Sequence, residues 1–350
     1  MVVVGADVHK RTHTFVAVDD VGRKLGEKVV AATSPGHHQA LRWAIKQFGP
    51  ELRWGIEDCR HLSARLERDL LNCGQQVVRV PPKLMAQVRA SARTHGKSDP
   101  IDALAVARAV LREPDLPVAS HDEVSRELKL LVDRREDLVA QRTSTINRLL
   151  WRVHELDPAH APQPRSLDLA KHRTLLAAWL DVTPGLVAEL ARDELADITR
   201  LSEQINTLAK RIGERIRTVA PALLAMPGCG ELTAAKIVGE AAGVTRFKGE
   251  AAFARHSGVA PIPVWSGNTA GRVRMTRSGN RQLNAALHRI AITQIRLAGL
   301  GQTYYRKRLD AGDSSTEALR CLKRRLARVV FHHLHTDQNN RQPTCQPAAA

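Results

Sequence analysis

Val2-Val3-Val4-Gly5-Ala6-Asp7-Val8 is a short β-branched run that ends on a carboxylate. Valine is stiff at χ1 and suits a pleated surface, and so short an apolar run reads as a strand buried on both faces. An unpaired acid among apolar neighbours is costly, so Asp7 is either a structural strand-end group or one held there for chemistry. Working outward, Thr12 to Val18 reads as a second strand, Asp19-Asp20-Val21-Gly22 as a hairpin turn, and Lys24 to Ala32 as a third strand. A helix from Pro35 to Phe48, a strand from Arg53 to Glu57, a helix from His61 to Leu71, a strand from Gln76 to Val80 and a helix near Lys83 to Ala92 follow. The order βββ-α-β-α-β-α predicts an α/β layer fold with one mixed sheet.

Two further places carry acids. Arg53-Trp54-Gly55-Ile56-Glu57 ends in a carboxylate with Asp58 directly after it, and alternation alone leaves open which of the two faces Asp7. Lys97-Ser98-Asp99-Pro100-Ile101-Asp102-Ala103-Leu104 opens a helix that runs to about Arg112, with Ile101, Leu104, Ala105 and Val110 on its apolar side. Asp99 and Asp102, three apart at a helix start, aim into the same space. The same residues also suit a purely structural cap, with Asp99 as N-cap, Pro100 as first helical residue and Asp102 as the acid of the first turn.

Acids at two strand ends followed by a helix with two more resemble the ribonuclease-H/RuvC-type nuclease core. Gly5-Ala6-Asp7-Val8-His9-Lys10, with Glu57 and Lys97 to Ala103, resembles the DEDD transposases of the IS110 family. The resemblance implies that Asp7, Glu57, Asp99 and Asp102 are catalytic and hold Mg²⁺, as a pair of ions, against a scissile phosphodiester. It favours Glu57 over Asp58. His9, His61 and His95 read as surface residues or supports behind the ligands.

The 350 residues carry a formal charge of +17, unevenly spread. Residues 1–120 hold 18 Lys/Arg against 13 Asp/Glu, residues 121–220 hold 16 against 16, and residues 221–350 hold 19 against 7. A last third so basic fits a polyanion, with nucleic acid the usual one, and its 15 Arg to 4 Lys suits bidentate phosphate contacts. Only 12 aromatic residues argue against a base-stacking single-strand binder. Five cysteines without a CxxC pair read as free thiols of a reducing compartment. No signal peptide or membrane-spanning run is visible, so the expected location is the cytoplasm, in action at the nucleoid, without a membrane partner.

The neutral middle is helical. Glu123 to Leu156 lacks Gly and Pro, with Val124, Leu128, Leu131 and Leu138 on a seam that Arg135 and Arg142 interrupt before Ile146, Leu149, Leu150 and Val153. Leu186 to Val219 has a cleaner seam at Ile198, Leu201, Ile205, Leu208, Ile212, Ile216 and Val219. An antiparallel coiled-coil arm with exposed seams is expected, and with it a homo-oligomer, dimer or tetramer. Leu223 to Val238 reads as helix, Pro-Gly-x-Gly hairpin and helix; it resembles a helix-hairpin-helix motif in which Gly228, Gly230 and Lys236 meet a phosphate, and equally suits an ordinary αα-hairpin. Ser257 to Asn268 is a Gly/Pro-punctuated loop. A Ser-Gly there is ordinarily a turn, and Ser257, Thr269 and Ser278 compete as hydroxyls, but matched to the IS110 pattern Ser266 falls on the catalytic serine. Arg272, Arg274, Arg277 and Arg281 follow it as phosphate-binding cations, and a helix runs on to about Leu297. From Thr336 the chain is polar and expected to be disordered.

The expected organisation is therefore a RuvC-like nuclease domain over 1–120, a coiled-coil region over 121–220, a mostly helical transposase domain over 221–335 and a tail over 336–350. The resemblance implies a transposase of an insertion sequence that cuts and rejoins DNA through the metal centre and a serine nucleophile, guided by a bridge RNA. A RuvC-like junction nuclease without a covalent intermediate and a non-catalytic nucleic-acid scaffold are the rival readings.

Overall fold

The computed structural model describes residues 1–57, 60–81, 84–85, 98–113, 116–120, 122–271, 273–275 and 279–341. The chain divides into two compact units, Met1–Asp122 with Thr245–Lys248, and Glu123–Val244 with Gly249–Ala350. In the first, β1 (Val2–Val8), β2 (Thr12–Val18), β3 (Lys24–Ala31), β4 (Leu52–Glu57) and β5 (Gln76–Val80) form one sheet in the order β3-β2-β1-β4-β5. β1, β2 and β3 pair antiparallel, whereas β1, β4 and β5 pair parallel. This is a ribonuclease-H/RuvC-like α/β fold. The antiparallel half needs only tight turns; the parallel half needs crossovers, which α1 (Ser34–Phe48) and α2 (Arg60–Asn72) supply. Thr33 starts α1 by accepting the Gly36 amide on its hydroxyl at 3.3 Å, and Gly49 ends it at φ 85°.

The two faces of the sheet have separate cores. Val4, Ala6, Phe15, Trp54, Ile56 and Val77 pack against α1 and α2. Trp54 is fully buried there, edge-on to Phe15 at 5.7 Å, and its indole N–H donates to Gln75 at 3.0 Å. On the other face Val3, Val16, Val78 and Val80 meet α3 (Asp99–Arg112) through Ala103, Val106, Ala107 and Val110. Glycine makes that contact close. A Cβ on Gly5 would lie 2.2 Å from the Ala103 carbonyl oxygen, and one on Gly55 2.7 Å from Val110. The backbone of α3 thus rests directly on β1, its valine side chains on β4, and small residues set its height.

The face beneath α1 also buries a histidine pair. His13 stacks on His37 at 5.1 Å, His37 pairs with Asp69 at 2.6 Å, and the His9 amide donates to His13 Nδ1 at 3.3 Å. Burial first, and the neighbouring His37 second, push the His13 imidazole down to about 4. Below pH 6.5 the unfolded chain takes up a proton that the folded chain refuses until about pH 4. Stability should therefore be unaffected above pH 6.5 and fall by about 3 kcal/mol as the pH drops through that window. Urea melts of the wild type and of His13→Gln between pH 7 and pH 4 check this. The variant should lose the extra acid slope; identical slopes would refute the assignment.

In the second unit α4 (Glu123–Leu156) and α6 (Leu186–Val219) lie antiparallel, since Glu127 pairs with Arg215 at 2.9 Å and Arg152 with Glu194 at 3.0 Å. Their seam buries Leu128, Leu138, Leu149 and Val153 against Ile198, Leu201, Ile205 and Ile212, each contributing about 2 kcal/mol. The expected open arm is corrected in one respect. An unanticipated helix, α5 (Ala170–Val182), covers the seam at one end with Leu176 and Leu180. At the other end α8 (Glu231–Ala241) closes on α4, with Gly239 against the Lys129 backbone and Glu240 bonded to Lys129 at 2.6 Å. The seam is covered within the chain, so it gives no support of its own to an oligomer.

α7 (Pro221–Leu224), α9 (Glu250–His256), α10 (Arg281–Arg296), α11 (Leu300–Asp310) and α12 (Ser315–Arg341) complete this unit with a two-stranded ribbon, β6 (Pro261–Pro263) and β7 (Val273–Met275). α12 corrects the expected tail. The chain stays helical through Arg341 because the Asp337 carboxylate, 1% exposed, accepts the Ala222 and Leu223 amides at 2.8 and 3.1 Å and so caps α7. Of the expected helix near Lys83 to Ala92 only residues 84–85 are described, and the residues beyond 341 lie outside the described residues. Cys73, Cys229 and Cys321 are free thiols, and no helix among the described residues is long and apolar enough to cross a membrane.

Candidate metal and nucleophile sites

The register of the sheet decides where the strand acids point. Gly5 pairs with Gly55 and Ala6 with Ile56, so Asp7 and Glu57 are the next residues on neighbouring parallel strands. Alternation puts both on the face that Gly5 and Gly55 turn towards α3. Asp58 lies outside the described residues.

α3 brings the other two acids. Its N-cap is Ser98, so Asp99 is its first residue and the purely capping arrangement is not the one formed. The Asp99 carboxylate turns to His9, whose Nε2 lies 3.4 Å from Asp99 and 3.1 Å from Asp7. Ligand atoms of Asp7, His9 and Asp99 all lie within 4.8 Å of one another. Burial raises the Asp7 carboxyl above its ordinary value; His9 opposes this through charge and a hydrogen bond, and the charges of Asp102 and Asp99 add to it. Negative charge therefore crowds at the carboxyl end of β1, where hard oxygen atoms and one imidazole could hold a divalent cation.

Ser266 is exposed in the loop joining β6 to β7, just before the turn at Gly267–Thr269. The ribbon is pinned at its base. Gly258 and Gly279 abut so closely that a Cβ on Gly279 would lie 2.3 Å from the Gly258 backbone. Asn284 donates to the Ser257 and Gly258 carbonyls at 3.0 and 3.1 Å and accepts from Lys323 at 2.5 Å. Ser257, a rival hydroxyl by sequence, is fully buried and donates to the Phe253 and Ala254 carbonyls. Arg274 and Arg281 are exposed on β7 and at the start of α10, whereas Arg272 and Arg277 lie outside the described residues.

The hairpin before α8 divides the remaining candidates. Gly230 is its exposed N-cap and faces open space. Gly228, at φ 82°, turns its α-carbon to Thr293 and Ile290 of α10. Lys236 is 4% exposed, ion-paired with Glu136 and bonded to Gln282 at 2.7 Å. Its charge is consumed inside the bundle, which corrects its assignment as a phosphate contact.

Residues 4–156 match the family model described as a transposase of the DEDD IS110 type, and residues 220–306 match that of the transposase IS116/IS110/IS902 family. The chain belongs to the IS110 family of transposases. Similar proteins include the uncharacterized 44.8 kDa protein of insertion element IS116 from Streptomyces clavuligerus, 28% identical over 94% of this chain and 93% of that one. The 42 kDa protein of insertion element IS900 from Mycobacterium paratuberculosis is 26% identical over 99% of this chain and 98% of its own. T. thermophilus RuvC, solved in complex with a Holliday junction substrate, aligns at 18% identity and a TM-score of 0.27, covering 33% of this chain and 98% of that one. An IS110-family transposase is a DNA-recombining enzyme, and its DEDD acids imply dependence on a divalent metal. His9, half exposed and hydrogen-bonded to Asp7, stands beside the acids as the sequence suggests, on the surface and in support of a ligand.

Proposed function

We propose that this transposase excises and integrates its own DNA element through two centres, with Asp7, Glu57, Asp99 and Asp102 as metal ligands and Ser266 as nucleophile. The observation that carries the reading is the gathering of Asp7 and Asp99 around one point at the end of β1, in a chain that matches the DEDD model. Two Mg²⁺ ions held there would stabilise negative charge on the scissile phosphate. In the covalent step the Ser266 Oγ–P bond forms, the bond from phosphorus to the leaving deoxyribose oxygen breaks, the serine proton passes to water and the leaving oxygen is protonated. A second DNA hydroxyl reverses these changes and frees the serine, so no external energy source is needed. Exposure of Ser266 on a pinned ribbon supports this role, and Arg272, Arg274, Arg277 and Arg281 supply cation density around the phosphate.

On this reading residues 1–120 act as the nuclease, 121–220 as the assembly region and 221–335 as the serine domain. A homo-oligomer brings the acids of one protomer to the serine of another. A structured bridge RNA selects donor and target by base pairing, and the protein holds RNA and DNA through charge and shape. The test is to purify the full chain from cells carrying its native locus, sequence the RNA that accompanies it, and supply DNA containing the element ends. Strand exchange that requires both Mg²⁺ and that RNA is expected, and DNA affinity should fall about a thousandfold between 50 and 200 mM salt. Exchange that survives chelation, or proceeds without RNA, overturns the corresponding part.

A further inference from the structure

We infer that His9 is itself a metal ligand, so that the centre at the end of β1 presents one imidazole nitrogen among its carboxylate oxygens and favours Mn²⁺ more than an all-oxygen site would. This rests on the reading of the acid centre as a divalent-metal site. His9 Nε2 lies 3.1 Å from Asp7 Oδ2 and 3.4 Å from Asp99 Oδ1. An octahedral ion with bonds of about 2.1 Å sets adjacent ligands about 3.0 Å apart, so both separations suit neighbouring positions on one ion. A hydrogen bond to Asp7 accounts for the shorter of these contacts but not for both. A neutral imidazole carries at most one proton on Nε2, yet Nε2 faces two carboxylates at nearly equal range. With the proton on Nδ1, Nε2 offers a lone pair beside both carboxylates, and the ligand atoms of all three residues lie within 4.8 Å of one another, close enough to share a cation. His9 is half exposed, so it can reach a hydrated ion without disturbing a core. Mg²⁺ prefers oxygen ligands and takes nitrogen least readily, whereas Mn²⁺, also at home among carboxylates, is a transition ion that accepts an imidazole beside them; one nitrogen therefore shifts the balance from Mg²⁺ towards Mn²⁺.

The experiment is a titration of the full chain with Mn²⁺, followed by electron paramagnetic resonance with electron spin-echo detection of nitrogen coupling. Wild-type protein should bind Mn²⁺ with the modulation of a directly coordinated ¹⁴N. His9→Ala should lose that modulation and bind Mn²⁺ about tenfold more weakly, with a smaller change in Mg²⁺ affinity read by competition. Bound Mn²⁺ without ¹⁴N modulation in the wild type, or modulation that persists in His9→Ala, overturns the assignment and leaves the carboxylate centre standing. If wild-type protein binds no Mn²⁺, or Asp7→Asn binds it as tightly, the acid centre falls and the role of His9 with it.

Discussion

Ser266→Ala is expected to remove the protein–DNA adduct that survives denaturant and to lower strand exchange by at least about three orders of magnitude. No other group can take over a nucleophile's bond, so the loss should be nearly complete. Affinity for DNA should stay within a few-fold, because the substitution deletes one exposed oxygen and no positive charge. Ser257→Ala is the matched control. That hydroxyl is sealed in the core, bonded to two carbonyls of its own helix, so its loss should lower the melting temperature slightly and leave the adduct in place. Gel analysis of crosslink-free reactions, with and without protease, reads both variants. An adduct that persists in Ser266→Ala moves the nucleophile to another hydroxyl, with Thr269 and Ser278 the remaining candidates. Cleavage without any adduct in the wild type would favour a plain metal nuclease.

Asp7→Asn should act in opposite directions on activity and stability. The amide keeps the shape of the carboxylate but removes the charge that draws a cation, and cleavage should fall by about a thousandfold. In metal-free buffer at neutral pH the same variant should melt at a higher temperature than the wild type. The sign follows from the raised Asp7 carboxyl: the folded protein prefers it neutral, so its charged form destabilises the fold once the pH exceeds the folded-state value. Asparagine removes that burden, and its oxygen can still accept from His9. Added Mg²⁺ should then stabilise the wild type and leave the variant unchanged. Equal melting temperatures with and without the charge would show that the carboxylates do not crowd as described.

How much of this was legible in the sequence depended on whether a residue's partners were near it in the chain. The strands announced themselves through valine content, and Leu186–Val219 through an uninterrupted seam, because both patterns are local. Which face Glu57 takes required the register of β4 against β1, a relation between residues fifty positions apart. Lys236 looked like a surface cation in a basic region; its partner Glu136 sits a hundred residues upstream on another helix. Asp337 looked like part of a polar tail until the α7 amides it caps were placed beside it. The ribbon carrying Ser266 reads as a loop because its strands are three residues long, too short for any alternation to register, and β6 holds two prolines. Helix α5 was missed between proline-rich and glycine breaks, where no long apolar period could build.

The glycine contacts beneath α3 have a consequence for thermal performance. With Gly5 admitting the α3 backbone onto β1 and Gly55 its valines onto β4, the strand ends and the helix start that carry Asp7, Glu57, Asp99 and Asp102 belong to one packed block. Warming should not slide one pair of acids away from the other by degrees, because the surfaces that carry them touch so closely at these glycines. Metal capture in this protein should hold a gentle slope up to the melting point of the block and vanish there in one break.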